Sequence, residues 1–206
     1  MRVIPPNASL EVPVDGNEVI KIIERIGRVC YKSEDKIAAD TAEKFIKALI
    51  KRGHESVIEH VGVSVRVVCD RGVSHEIVRH RIASYSQEST RYCNYADDKF
   101  SSELTFIKPC FFEESGGGYE LWALGMRNAE EIYMRMLETG IEPQQARSVL
   151  PNSLKTELVM SMNLREWRHF IRLRTDRAAH PQMREVARMI LEILKTSVPY
   201  IFDEFD

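Results

Sequence analysis

The stretch V-G-V-S-V-R-V-V-C, residues 61 to 69, alternates apolar side chains with small or polar ones. Five residues fall on one face of an extended chain: Val61, Val63, Val65, Val67 and Cys69. The other face carries Ser64 and Arg66. This period of two predicts a β-strand that is covered on one side. Residues 154–162 alternate in the same way and predict a second strand of the same sheet.

The segments around these strands predict helices. Apolar residues recur at helical spacing in residues 19–29, 42–50, 119–139, 164–171 and 183–198. Asp40 with Glu43, and Asn163 with Glu166, predict two capping boxes, and Ser74 predicts the cap of a short helix. Shorter extended segments are predicted at 1–5, 10–14 and 103–108, and a loop at 84–91. The predicted fold is α+β, with helices packed on an antiparallel sheet in a single domain, residues 1–206.

The composition is that of a soluble globular protein, with 44% hydrophobic and 29% charged residues. The formal net charge of −2 does not favour a nucleic-acid-binding protein. No apolar run reaches the roughly 18 residues of a membrane helix. The first residues do not resemble a signal peptide. We therefore expect a cytoplasmic protein without a membrane partner. The four cysteines form no C-x-x-C pair, which favours free, packed thiols and no metal site.

The run R-H-R-I-A-S-Y-S-Q-E-S-T-R, residues 79 to 91, combines three arginines with short hydrogen-bonding side chains and a single acid, Glu88. Arginine presents a rigid fork of donors that matches a phosphate, and hydroxyl groups complete such a site. The run therefore predicts an anion site, most simply for a phosphate ester. A solvated basic turn is the alternative.

A second basic region follows near the C-terminus. Residues 165–188 contain three acids, no lysine and seven arginines. The arginines are Arg165, Arg168, Arg172, Arg174, Arg177, Arg184 and Arg188. Exclusive use of arginine favours planar, bidentate recognition of anions, whereas the alternative is a helix surface covered by salt bridges.

These motifs together resemble the flavin-dependent thymidylate synthases. The resemblance rests on R-H-R-x-x-S followed by S-T-R at 79–91, on G-H-E-S-V-I-E-H at 53–60, on A-R-S-V-L-P at 146–151, and on N-L-R with a later L-R at 163–174. Ser86 and Gln87 stand where the family often has Asn-Glu, and His169 stands where asparagine is common. His180 is displaced by two residues from the usual spacing.

The resemblance implies reductive methylation of dUMP to dTMP. Methylenetetrahydrofolate would supply the carbon, FAD would carry the hydride and NADPH would reduce the flavin. It also implies a homotetramer with active sites at subunit interfaces, and a reaction without a cysteine nucleophile. Because a guanidinium at the uracil carbonyl edge would favour an anionic ring, Arg174 is the predicted catalytic residue.

The implied site residues fall into two sets. For dUMP they are Glu76, Arg79, Gln87, Glu88, Ser89, Thr90, Arg91, Arg147 and Arg174. For FAD they are Ser56, Glu59, Arg79, His80, Arg81, Gln87, Asn163, Arg165 and His169.

One alternative function remains open, an arginine-rich RNA- or nucleotide-binding module without catalysis. Such a module would need exposed aromatic residues among the arginines, whereas Trp167 and Phe170 fall on the apolar face of their predicted helix. A zinc site is not indicated, since H-E-x-x-H is broken by Ile58. No G-x-G-x-x-G motif is present, so a flavin would be held without a Rossmann turn.

Overall fold

The computed structural model describes residues 1–205 as six strands and seven α-helices. The strands are β1 Arg2–Ile4, β2 Asn7–Leu10, β3 Gly62–Asp70, β4 Ser84–Gln87, β5 Thr105–Ile107 and β6 Lys155–Asn163. The helices are α1 Gly16–Val29, α2 Thr41–Lys51, α3 Arg71–Ile77, α4 Gly117–Glu138, α5 Pro143–Ala146, α6 Leu164–Arg174 and α7 Pro181–Ser197. Single 3₁₀ turns occupy Glu34–Lys36, Glu55–His60, Asp98–Phe100 and Arg147–Val149.

The main sheet has four strands in the order β2-β3-β6-β4. Beyond the last residue of β6, Leu164 N donates to Val61 O at 2.9 Å, and further along the pair the hydroxyls of Ser64 and Ser161 lie 2.6 Å apart. Because the partners run in opposite order along the two strands, β3 and β6 are antiparallel, as predicted. A separate two-stranded sheet pairs β1 with β5 in parallel, which was not predicted.

The alternation read from the sequence is confirmed in both central strands. The valines of β3 that point to one side are buried, as is Cys69. In β6 the buried residues are Thr156, Leu158, Met160 and Met162. Each strand therefore presents one covered face, which is the arrangement that its sequence period predicts.

Two compact units make up the described chain. The first unit comprises Met1–Asn7, Val67–Arg79 and Ser86–Leu158, and the second comprises Ala8–Arg66, His80–Tyr85 and Val159–Asp206. In the first, a buried cluster includes Phe106, Tyr133 and Leu154. In the second, Trp167 is fully buried and donates its indole N–H to Val63 O at 3.0 Å. The prediction of one domain stays a prediction.

The approach of α1 to α2 in the second unit depends on Gly27. A Cβ atom at this position would lie 2.7 Å from the ring of Phe45, closer than real Cβ contacts allow. A larger residue at position 27 would therefore force the ring of Phe45 to move where these two helices touch.

Several predicted helix boundaries are corrected by the structure. The short third helix begins at Arg71 and not near Ser74, because the carboxylate of Asp70 accepts from Val73 N at 2.8 Å and caps it. Asp40 makes no side-chain cap, and Glu43 instead accepts from Lys47 at 2.6 Å, so this capping box is wrong.

Of the second predicted capping box, Asn163 with Glu166, the contact made by the asparagine side chain is present. Asn163 accepts from Glu166 N at 2.9 Å and caps α6. Three other segments differ from prediction: β2 ends at Leu10, α4 begins within the G-G-G run at 116–118, and β4 occupies the start of the predicted loop. Within residues 1–205, no helix combines the length and the apolar character needed to cross a membrane.

The cysteines follow the prediction only in part. All four are free, and Cys69 is buried in β3. Burial raises the pKa of the Cys69 thiol. Cys30 was predicted to pack inside, but it lies at the C-terminal cap of α1 and is exposed.

Candidate functional site

In the first unit, the arginine-rich run meets the A-R-S-V-L-P element. Arg147 Nη1 donates to Thr90 Oγ1 at 3.4 Å, and Arg91 Nε donates to Oε1 of Gln144 in α5 at 3.2 Å. Both guanidinium groups are exposed, and neither forms an ion pair with an acid anywhere in residues 1–205. Two cations thus lack a carboxylate to neutralise them, and one of them contacts a hydroxyl, which is a suitable arrangement for a phosphate.

Two neighbouring residues of the predicted dUMP set are engaged within the protein. Gln87 Nε2 donates to Ser74 Oγ at 3.0 Å and to Thr156 Oγ1 at 3.1 Å. The carboxylate of Glu88 accepts from Tyr95 at 2.7 Å and from Lys155 at 2.7 Å. These contacts fix the loop that carries Ser89–Arg91.

The other members of that set in the first unit lie on or just after α3. Glu76 is half-buried and Arg79 is exposed. Among residues 1–205, no side chain forms a hydrogen bond or ion pair with the guanidinium of Arg79. Contacts of these residues with a nucleotide stay predictions.

In the second unit, the predicted flavin residues Ser56 and Arg165 line a cavity of about 840 Å³. Its wall also carries Arg28, Lys36 and Arg52, between the ends of α1 and α2 and the turn Glu55–His60. The volume lies in the range of about 300–1,000 Å³ usual for cofactor sites. Glu55 also lines the cavity, and Arg28 pairs with the buried Glu24 at 2.6 Å, so Lys36 and Arg52 are the cations of this wall best suited to an anionic ligand such as a pyrophosphate.

Several of the remaining flavin candidates of this unit lie on or beside α6. Arg165 pairs with Glu59, another member of the predicted set. Asn163 is half-buried at the helix cap, whereas Arg81 and His169 are exposed. The structure thus gathers several of the predicted flavin residues at one end of one helix.

The predicted catalytic arginine is held by a buried histidine. His80 is 4% exposed, and its Nε2 accepts from Arg174 Nε at 3.0 Å. On the other side of the ring, Nδ1 lies 3.4 Å from Glu166 Oε1. The ring packs on Phe170, with centroids 4.9 Å apart. An arginine can only donate, so Nε2 must carry the lone pair and Nδ1 the proton.

Electrostatics keep this histidine neutral. Burial, the guanidinium of Arg174 and nearby His169 together lower the pKa of His80 to about 4. Neutral imidazole is the form that can accept from Arg174, so the contact persists at physiological pH. A protonated His80 would instead place two cations side by side.

Comparison with known proteins agrees with these motifs. The family model described as thymidylate synthase complementing protein matches residues 14–200. The flavin-dependent thymidylate synthase of Pyrococcus furiosus is 35% identical over 172 residues, covering 83% of this chain and 70% of its own. That of Corynebacterium aurimucosum is 32% identical and covers 98% and 86%. The chain belongs to the flavin-dependent thymidylate synthase family.

A solved structure has the same fold as this member of the flavin-dependent thymidylate synthase family. The UMP/dUMP methylase PolB of Streptomyces cacaoi, bound with 5-Br dUMP, superposes with a TM-score of 0.80. The two chains are 22% identical, and the match covers 98% of this chain and 96% of the other. At that identity the likeness concerns the fold.

One arginine of the basic region has a structural role that the sequence analysis missed. Arg168 is 1% exposed and donates to Glu55 at 3.0 Å, to Glu204 at 2.7 Å and to the carbonyl of Ile201. The interpretation of the seven arginines as anion ligands is therefore wrong for Arg168. Arg168 lies one helical turn after Leu164, on the buried face of α6. This spacing is the feature of the sequence that could have predicted its burial.

Three side chains that could ligate a metal ion lie close together at α6. His80, Glu166 and His169 place one potential ligand atom each within 4.8 Å of one another. However, the Nδ1 that faces Glu166 carries the imidazole proton while Nε2 accepts from Arg174. Metal ligation there would require breaking that contact beside a permanent cation, so the geometry disfavours a metal.

The depressed pKa of His80 predicts a specific pH dependence of stability. In the unfolded chain this histidine titrates near about 6.5, but in the folded protein near about 4. Between these values only the unfolded state binds the proton, so the free energy of unfolding should fall as pH is lowered, by at most about 3 kcal/mol.

Chemical denaturation at several pH values from about 4 to 7.5 measures this effect. His80→Gln should show a shallower loss of stability at acid pH than the wild-type protein. His75→Gln, which changes an exposed histidine on α3, should keep the wild-type slope. Equal slopes for all three proteins would contradict a buried, neutral His80.

Proposed function

We propose that this protein catalyses the reductive methylation of dUMP to dTMP. In this proposal 5,10-methylenetetrahydrofolate donates the carbon, FAD carries the hydride and NADPH is the reductant. The observation that carries it is the contact between Arg147 and Thr90, which joins two distant motifs into one anion site. Membership of the flavin-dependent thymidylate synthase family supports the choice of dUMP as the anion.

The nucleotide phosphate would bind at Arg91 and Arg147, with the hydroxyls of Ser89 and Thr90 as further partners. Charge-assisted hydrogen bonds from two guanidinium groups are strong and directional. Gln87 and Glu88 would act mainly by holding this loop in shape, since their side chains are already engaged with Ser74, Tyr95 and other neighbours.

The flavin would occupy the basic cavity of the second unit. Its isoalloxazine ring supplies the hydride chemistry that side chains cannot perform. Ser56 and Arg165 line the cavity, and Lys36 and Arg52 would provide positive charge for a dinucleotide pyrophosphate, whereas Arg28 is paired with the buried Glu24. Glu59, paired with Arg165, would orient that guanidinium.

Arg174 would act on the uracil ring. A guanidinium at N3 and the C4 carbonyl stabilises negative charge on the ring and makes C5 a better nucleophile. The hydrogen bond to neutral His80 fixes one edge of the guanidinium plane, which limits its orientations. No cysteine nucleophile is required, and Cys69 is unsuited to that role because burial raises its pKa.

We further propose a homotetramer in which each active site lies at a subunit interface, each chain forming one domain. Exposed apolar side chains on α4, namely Leu121, Leu124 and Ile132, would gain from being covered. The alternative is a nucleotide- or RNA-binding module without catalysis. Burial of Trp167 and Phe170 removes two aromatic residues that such a module could have used for stacking.

Turnover by the purified protein tests this function. The protein is expected to be yellow, to scatter light as four chains of 23.8 kDa each, and to form dTMP when given dUMP, methylenetetrahydrofolate, FAD and NADPH. UMP should be compared with dUMP as the acceptor. Nucleotide binding without methyl transfer in the flavin-loaded protein would favour the non-catalytic alternative.

Removing either guanidinium of the anion site should weaken dUMP binding and leave bound flavin unchanged. Loss of a charge-assisted hydrogen bond costs about 1.5–3 kcal/mol, which is roughly a tenfold to over a hundredfold rise in Kd. Arg91→Ala and Arg147→Ala test this by calorimetry. Arg135→Ala is the matched control, since its exposed guanidinium pairs with Glu131 on α4. Wild-type dUMP affinity in both test variants would remove them from the phosphate site.

A further inference from the structure

Glu166 has a carboxylate whose position is not explained by its place in the helix. Its main-chain N–H donates to the Asn163 cap, so the residue belongs to the first turn of α6. A capping-box glutamate would turn its side chain back toward the cap. Here the carboxylate lies against His80 Nδ1 at 3.4 Å.

The contact favours the same tautomer of His80 that the hydrogen bond from Arg174 requires. Neutral imidazole has two tautomers, and only the one protonated at Nδ1 can accept from Arg174 at Nε2. A carboxylate facing Nδ1 favours that tautomer because it accepts the N–H. Without it, the Nε2–H tautomer becomes more populated, and in that tautomer a proton points at the guanidinium and the contact with Arg174 is lost.

Other groups around the imidazole do not replace this carboxylate. Tyr85 donates its hydroxyl to the main-chain carbonyl of His80 at 2.7 Å, and burial with neighbouring Glu166 raises the pKa of Tyr85 to about 12, so it stays protonated. His169 approaches the ring edge-on at a centroid distance of 5.6 Å. Phe170 covers a ring face and has no polar atom.

We propose that Glu166 is a positioning residue, which acts through the tautomer of His80 to hold the guanidinium of Arg174 in its reactive orientation. This inference rests on the proposed role of Arg174 in dUMP methylation. The path is a chain of two hydrogen bonds: Arg174 Nε–H donates to His80 Nε2, and His80 Nδ1–H donates to Glu166. No proton is transferred along it, because its function is to fix orientation.

Steady-state kinetics of flavin-loaded Glu166 variants test the proposal. Glu166→Ala should lower kcat for dTMP formation about tenfold, with KM for dUMP and flavin content within twofold of wild type. Glu166→Gln should keep at least half of the activity, because its amide oxygen still accepts from Nδ1–H. Glu192→Ala, an exposed acid on α7, is the control and should match wild type.

A double-mutant cycle separates this path from a general loss of stability. In a His80→Gln background, adding Glu166→Ala should reduce kcat by no more than twofold, since the imidazole that links the two side chains is gone. Multiplicative losses would show that Glu166 acts independently of His80, and the proposal would be overturned. Equal losses in Glu166→Gln and Glu166→Ala would overturn it as well.

The tautomer itself gives a readout that does not depend on activity. Solid-state ¹⁵N spectra of histidine-labelled protein, with the His80 signals assigned by their absence in His80→Gln, should show a protonated Nδ1 in the wild type and a shift toward the Nε2–H tautomer in Glu166→Ala. An Nε2–H tautomer in the wild type would refute the proposal. If the tautomer is as expected but no dTMP forms, the proposed function fails while the positioning of Arg174 stands.

Discussion

The antiparallel pairing of β3 with β6 is the constraint on which the second unit's site depends. Leu164 N bonds to Val61 O, and the residue before it, Asn163, caps α6. The register therefore determines where α6 begins, and with it the positions of Glu166 in the first turn and of Arg174 at the last residue of the helix. A slip of either strand by one residue would turn its buried face to solvent, so the covered alternation protects the register.

The arginines of this protein differ in role because they differ in burial and in their hydrogen-bond partners. Arg168 is enclosed by acids and a main-chain carbonyl, and such a buried ion network stabilises only as a complete set. Arg91 and Arg147 are exposed and have no acid partner within residues 1–205. An uncancelled charge of this kind is what recognition of an anion requires. Arg174 is a third case, because its Nε–H donates to a neutral histidine, which directs the guanidinium.

Sequence reasoning found the features that local periodicity and short-range capping determine. The alternation in β3 and β6, the amphipathic helices and the Asn163 cap are all of this kind. It missed the parallel pairing of β1 with β5, because their residues are about a hundred positions apart and neither strand exceeds three residues. It also missed the contact of His80 with Glu166, since 86 positions separate them and only the packing of α6 brings them together. Residue type alone could not separate Arg168 from its neighbours, because its role is set by Glu55 and Glu204, which lie far away in sequence.

The central claim is that Arg174 activates the nucleotide while the flavin half-reaction proceeds without it. The most direct measurement is the ratio of dTMP formed to NADPH oxidised in Arg174→Ala and Arg174→Lys, both loaded with FAD. The account predicts that NADPH oxidation continues in both variants while dTMP formation falls at least about a hundredfold in the alanine variant. Lysine should rescue little, because a compact ammonium cannot present two parallel donors to the ring edge. Near-normal dTMP formation by Arg174→Ala would contradict the account.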